Sequence, residues 1–393
     1  MKKKLLFVMN NLNCGGAEKS LISLLQTIDY SRYEVDLFLF KHEGMFLKML
    51  PREVNVLDAP VFYPYFDMSI KTAVVDCVKH SRFRLAAARI GAGFVFRTEK
   101  NSAKCEQKAW RYLSKALASL STEYDAAIGY LEKTPIYYVI EKVKAHTKIG
   151  FIHNDYDKLG MDPTIDTAYF EKLSYIVTVS EECVRMLKER FPKFGHKIEL
   201  MHNIVSPAAI IDMSVDQLDL PKTGFTIASV GRLNYQKGFD MAVEACELLV
   251  KDGYDIKWYI VGEGQERERL EQLVKSKKLE HALILTGLQE NPYPYIKKCD
   301  LYVQTSIFEG RCLTITEAKI LNKPIVSTNF TVIYDQLSHE ENGLIVNQDA
   351  VSIYEGIKRL IEDESLRKHL TDNLLKEALG TEYEIHKLYQ WIS

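Results

Sequence analysis

The sequence predicts an α/β protein of two doubly wound, parallel-sheet domains, and three observations carry that expectation. At 393 residues the chain exceeds what one hydrophobic core usually supports. Along both halves, short apolar runs alternate with helical patterns, as parallel strands covered on both faces require. The alternation lapses once, near 203–222, where periodicity stops and Pro207 and Pro221 fall.

In the first half the strand-like runs are 5–10, 33–40, 54–58, 124–130, 148–153, 175–180 and 197–202. Between the first two, Leu21, Leu24, Leu25 and Ile28 share one helical face. The second half repeats the rhythm at 225–231, 256–264, 282–287, 301–306, 324–329 and 343–347. Long helices are expected at 238–251 and 265–278, and a charged helical stretch from about 350. The expected division is 1–203 for an N-terminal domain and 204–375 for a C-terminal one. A last helical segment, 376–393, is expected to return to the N-terminal domain.

Composition narrows the function classes. Hydrophobic residues at 47% and charged residues at 26% are ordinary globular values. The formal charge of −2 argues against general nucleic-acid binding. That total conceals an asymmetry: residues 71–115 hold eleven Lys or Arg against Asp76, Glu99 and Glu106, so the segment is +8 and the rest −10. Aromatic residues (Phe83, Phe94, Phe96, Trp110, Tyr112) interleave with its cations, which suits an anionic membrane surface reached by Arg82, Arg84 and Arg89. Seven scattered cysteines, with no CxxC pair, fit a reducing compartment. The basic start has only five apolar residues before Asn10, too few for a signal peptide. The expected location is the cytoplasm, with room for peripheral attachment to the inner face of the membrane.

Ligands of open parallel sheets bind beyond the carboxyl ends of the strands, so chemistry is sought there. In TSIFEGRCLTITEAKIL, Glu309 follows a strand and Glu317 lies eight residues on, inside a helix. The amides near Leu313 to Ile315, Thr314 included, fall between them at the helix start, where an anion is favoured. Alone, such a pair is common. In SVGRLNYQKGFD, Arg232 and Lys237 bracket a strand end that suits a diphosphate. Taken singly they are equally well ordinary loop cations. VGEGQE supplies a Gly262-Glu263-Gly264 turn through which backbone could approach a ligand closely.

These three elements, in this order on successive strands, resemble the family 4 retaining glycosyltransferases of the GT-B fold. Glu309 to Glu317 is similar to that family's E-x7-E signature. Arg232 and Lys237 are similar to its diphosphate-binding pair, and Gly262 to its G-x-G turn. Gly15 and Gly16 match its glycine-rich loop, which faces donor and acceptor. His153 matches a histidine beside the transferred sugar, and Asn203 an asparagine at the domain junction. The resemblance implies two Rossmann-like domains facing across a cleft. It also implies retaining transfer from a nucleoside-diphosphate sugar, with UDP as the expected carrier and a hexose or N-acetylhexosamine as the sugar. Glu309, His153, Arg232 and Lys237 would be catalytic, and Gly16, Gly262, Leu313, Thr314 and Glu317 would complete the donor site. The acceptor, on the side of Gly15 and Gly16, would be a saccharide or lipid-linked saccharide of bacterial surface polysaccharide, capsule or cell wall.

No cofactor and no metal are expected, because the two cations meet the diphosphate charge. Asp155 and Asp157 form a D-x-D in HNDYDK, but they read as loop acids. His196 and His202 read as structural. Arg311 and Cys312 stand where the family often has an aromatic residue and a second glycine. Other readings remain beside this one, among them a catalytically dead scaffold of the same fold, against which Glu309, Glu317, Arg232 and Lys237 together argue. A nicotinamide-dependent oxidoreductase would want G-x-G-x-x-G, which is absent; a nucleotide-sugar epimerase would share the fold.

Overall fold

The computed structural model describes residues 2–13, 15–220 and 224–393. Pro221 and Lys222, at the end of the expected linker, lie outside the described residues, as does Cys14. The chain forms two compact units: 1–204 together with 383–393, and 205–382.

The first unit carries β1 (Lys3–Met9), α1 (Gly16–Thr27), β2 (Tyr33–Leu39), β3 (Val54–Val56), α2 (Ile70–Lys79), α3 (Phe83–Thr98) and α4 (Ser102–Leu113). There follow β4 (Glu123–Gly129), α5 (Thr134–Lys142), β5 (Lys144–Ile152), α6 (Pro163–Phe170), β6 (Tyr175–Thr178), α7 (Glu181–Arg190) and β7 (Ile198–Leu200). The sheet runs β3-β2-β1-β4-β5-β6-β7, every pairing parallel. Leu5, Phe7 and Met9 of β1 face one apolar layer, and Leu6 and Val8 the other. A strand covered on both faces has no polar side to show, so its sequence does not alternate.

The second unit holds α8 (Pro207–Met213), β8 (Phe225–Val230), α9 (Phe239–Lys251), β9 (Ile256–Val261), α10 (Arg267–Ser276), β10 (Leu283–Gly287) and α11 (Tyr293–Lys298). It continues with β11 (Leu301–Gln304), α12 (Leu313–Ile320), β12 (Ile325–Thr328), β13 (Leu344–Val346), α13 (Ala350–Glu362) and α14 (Glu364–Leu374). Its parallel sheet runs β10-β9-β8-β11-β12-β13. Side-chain caps fix several helix starts: Asp349 accepts the Ser352 amide of α13, and Asp363 the Leu366 amide of α14.

Two boundaries differ from the sequence reading. The expected linker contains helix α8, whose seven residues are too short for a periodic pattern to register. The second unit runs to Glu382 rather than 375. Beyond it, α15 (Ile385–Trp391) belongs to the first unit. There Ile385, Leu388 and Ile392 join the core of Leu21, Leu24 and Leu25. Tyr389 stacks on Tyr33 at 4.9 Å, and Glu384 accepts the His202 amide at 2.9 Å.

Candidate active site

In the second unit the chain leaves β8 for one side of the sheet and later places β11 on the other. The gap between their carboxyl ends is therefore the topological switch point, where ligands of such sheets bind. The β8 loop carries Arg232 and Lys237, and the β11 loop carries Glu309.

The structure brings Lys237 and Glu309 together. The Lys237 ammonium donates to Glu309 Oε1 at 2.5 Å, with the two side chains 16% and 8% exposed. Ser306 Oγ donates to the same oxygen at 2.7 Å, and Gln236 Nε2 to Oε2 at 3.2 Å. Burial alone would push the Lys237 pKa down. Glu309 more than offsets it, and the ammonium is held above its ordinary value even with Arg232 nearby.

Backbone stitching fixes the two loops. The Ile307 amide donates to the Gln236 carbonyl at 2.8 Å, and Thr305 Oγ1 to the Lys237 carbonyl at 2.8 Å. Between the loops Gly238 adopts φ +59, and a Cβ there would lie 2.4 Å from the Thr305 carbonyl oxygen, so only glycine fits.

Behind Glu309 a buried polar chain runs along β11. Tyr302 Oη and Thr314 Oγ1 both donate to Gln304 Oε1, at 2.7 and 3.0 Å. Gln304 Nε2 in turn donates to Ser306 Oγ at 2.7 Å. The hydroxyl of Thr314, expected at the donor, is therefore turned inward on this chain.

α12 starts at Leu313 without a side-chain cap, although the Ile315 backbone faces the Cys312 thiol. The loop before it is clamped by Gln336, which accepts the Cys312 amide at 2.9 Å and donates to the Cys312 carbonyl at 2.8 Å. Glu317 sits one turn into α12 and is 2% exposed. Gly262 and Gly264 lie against backbone. A Cβ on Gly262 would lie 1.9 Å from the Gly231 carbonyl oxygen, and one on Gly264 2.2 Å from that of Leu233. What packs against these glycines is the backbone of the Arg232 loop, which the missing side chains allow to come close.

In the first unit the candidates follow β1, β4 and β5. Gly15 is the N-cap of α1 and Gly16 its first residue. One turn on, Ser20 bonds Tyr130 Oη at 2.8 Å and donates to Asn203 Oδ1 at 2.7 Å. His153 follows β5, 7% exposed, its ring 4.8 Å from that of Tyr130. Its amide donates to buried Glu132 Oε2 at 3.1 Å. Neither ring nitrogen makes a hydrogen bond of good geometry among the described residues. Burial pushes the imidazole pKa down to about 4, offset only in part by the Tyr130 backbone. Asp155 accepts the Asp157 and Lys158 amides at 3.0 Å each, and Asp157 pairs with Arg190 at 2.9 Å, so both are loop acids.

The His153 shift has a measurable consequence. The unfolded histidine binds its proton near pH 6.5 and the native one near 4. The unfolded state thus holds more protons between those values, and native stability falls as pH drops through 6.5. From pH 7 to 5 the wild type should lose about 2 kcal/mol more than His153→Phe, by urea unfolding of both chains. Equal losses would show that the imidazole is not held neutral by the fold.

Of the three arginines expected on a membrane surface, Arg89 is corrected outright. It is 5% exposed, and its guanidinium donates to the Tyr65 and Met68 carbonyls at 2.8 and 2.6 Å. Arg82 lies over the Phe62 ring and donates to Tyr65 Oη at 2.7 Å. Arg84 alone of the three is exposed. Trp110 is also internal, 5.9 Å from the Tyr137 ring.

Sequence reasoning missed Gln236, Ser306, Gln304, Gln336 and Glu132. The first two stand beside residues it did select, in NYQKG and TSIFEG, but nothing in their spacing marks them as partners of Glu309.

Solved structures share this architecture. TarM of Staphylococcus aureus, solved with UDP, superposes with a TM-score of 0.69 at 16% identity over 100% of both chains. HepE of Anabaena, solved with UDP and glucose, gives 0.66 at 16% identity over 99% of this chain and 98% of that one. The fold is GT-B: two Rossmann-like parallel-sheet units of seven and six strands.

Residues 211–376, within the second unit, match the model of the glycosyl transferases group 1. Among curated relatives, the N-acetylgalactosamine-N,N'-diacetylbacillosaminyl-diphospho-undecaprenol 4-alpha-N-acetylgalactosaminyltransferase of Campylobacter jejuni is 29% identical over 222 residues, 56% of this chain. The poly(ribitol-phosphate) alpha-N-acetylglucosaminyltransferase of Staphylococcus aureus is 29% identical over 144 residues, 36% of this chain. The matched stretches span 59% and 29% of those relatives' lengths. Neither the oxidoreductase nor the epimerase reading is favoured by these matches. Among the described residues no helix is long and apolar enough to cross a membrane.

Proposed function

We propose that the chain is a retaining glycosyltransferase. It would move a hexose or N-acetylhexosamine from a UDP-sugar to a saccharide or lipid-linked saccharide in bacterial surface polysaccharide synthesis. The observation that carries this reading is the Lys237–Glu309 pair at the switch point of the second sheet, next to the uncapped start of α12. A pinned carboxylate suits a sugar hydroxyl, and the cation and the amides at the start of α12 suit the phosphates. The relatives in Campylobacter jejuni and Staphylococcus aureus, whose names describe glycosyl transfer to diphospho-undecaprenol-linked and ribitol-phosphate acceptors, support the substrate class.

In this reading the bond from the anomeric carbon to the phosphate oxygen breaks as the acceptor oxygen bonds the same face of that carbon. The acceptor's proton passes to the leaving diphosphate, so atoms and charge balance without an enzyme nucleophile. Lys237 and Arg232 neutralise the charge that develops there, Glu317 holds the ribose hydroxyls, and His153, neutral, bonds a sugar hydroxyl. No metal is required.

The test is transfer from a panel of UDP-sugars to a lipid-linked saccharide, with the product anomer read by NMR and the assay repeated in EDTA. Retention at undiminished rate in chelator is expected. An inverted product, or activity lost in EDTA and restored by Mg²⁺, would overturn the mechanism. Consumption of the UDP-sugar without any acceptor would return the epimerase reading.

A further inference from the structure

Helix α3 is apolar on both sides. Leu85, Ala88, Ala92 and Val95 are buried against the first unit, yet Phe83, Ile90 and Phe94 are 65%, 53% and 66% exposed. The outward residues fall at 83, 87, 90, 94 and 97, the spacing of one helical face. Val75 and Val78 of α2 are exposed as well. A helix apolar all round is ordinarily covered all round, and nothing among the described residues covers this side.

Charge says what does. Lys71, Arg84, Arg97 and Lys100 are exposed and make no ion pair among the described residues. The three acids of the segment are each engaged by a partner within the first unit. Asp76 accepts from Tyr65 Oη, Glu99 pairs with Lys108 at 2.5 Å, and Glu106 pairs with Lys133 at 2.7 Å. The exposed charges of this segment left without an ion pair are therefore cations around an aromatic centre, complementary to an anionic lipid surface that takes both apolar side chains and charge.

We infer that the α2–α3 face docks on anionic bilayer, with Phe83, Ile90 and Phe94 entering the interface and Lys71, Arg84, Arg97 and Lys100 meeting the headgroups. This replaces Arg82 and Arg89 as the contacts, and it stands independently of the transfer chemistry. The occupant is a lipid surface rather than nucleic acid: phenylalanines beside cations could stack on bases, but exposed Ile90, Val75 and Val78 find no partner there, whereas acyl chains take all of them.

Sedimentation of the full chain tests this with vesicles of equal parts phosphatidylglycerol and phosphatidylcholine, against phosphatidylcholine alone. Binding to the anionic vesicles is expected to fall as salt rises. It should drop roughly tenfold or more in Phe83→Ser/Phe94→Ser and in Arg84→Glu/Arg97→Glu. Lys275→Glu/Lys368→Glu, the same charge change on the second unit, should bind as wild type. All six positions are exposed, so unfolding is not expected, and melting temperatures matched to wild type verify this. Equal binding to both vesicles, no binding, or loss in the control pair alone would overturn the inference. So would self-association, or RNA binding, abolished by the same substitutions in the absence of lipid.

Discussion

Lys237→Ala is expected to lower turnover about 10²- to 10³-fold and also to destabilise the second unit by about 3 kcal/mol. The two effects have separate causes. Losing the ammonium would remove the charge that the proposed mechanism sets against the leaving diphosphate. It would also leave the buried Glu309 carboxylate without its cation, held among the described residues by Ser306 and Gln236. Lys237→Met/Glu309→Gln removes both charges together and should recover most of the stability while remaining inactive. Denaturant unfolding and steady-state kinetics on the three chains check this. An active double variant would place the pair in the fold alone; a double variant no more stable than Lys237→Ala would mean the charges are not coupled.

Gly262→Ala is the substitution expected to damage the fold most, by about 3 kcal/mol or more. The new methyl group would meet the Gly231 carbonyl oxygen at 1.9 Å, and both neighbours are backbone that cannot turn aside. Yielding would break the bonds from the Gly231 amide to Val261 and from the Leu233 amide to Glu263, which are 3.0 and 2.8 Å. Gly253→Ala, whose Cβ meets nothing within 4 Å, is the control for glycine substitution in the same unit. Thermal melts of both chains decide the matter: a Gly262→Ala melting temperature at or above that of Gly253→Ala would contradict the steric account.

The strands were legible because buried parallel strands leave continuous apolar runs, such as LLFVM and WYIV, that no other element explains. The order of glycines, cations and acids along the second unit was legible too. Their contacts were not. Lys237 and Glu309 lie 72 residues apart, and only the β8–β11 adjacency makes them neighbours. The packing of the Gly231 backbone against Gly262 was not legible either, because sequence records that a side chain is absent, not which backbone fills its place. Arg89 was read as surface because a basic run hides which of its members turn inward; its carbonyl partners come from Tyr65 and Met68, upstream of the helix.

Calorimetric titration of UDP into the wild-type chain and into Lys237→Met/Glu309→Gln bears most directly on the assignment of the second-unit switch point as a nucleoside-diphosphate site. The wild type should bind UDP, and the double variant should bind it at least about tenfold more weakly, the loss of one charge-assisted contact. UDP binding that is absent in the wild type, or equal in both chains, would contradict that assignment.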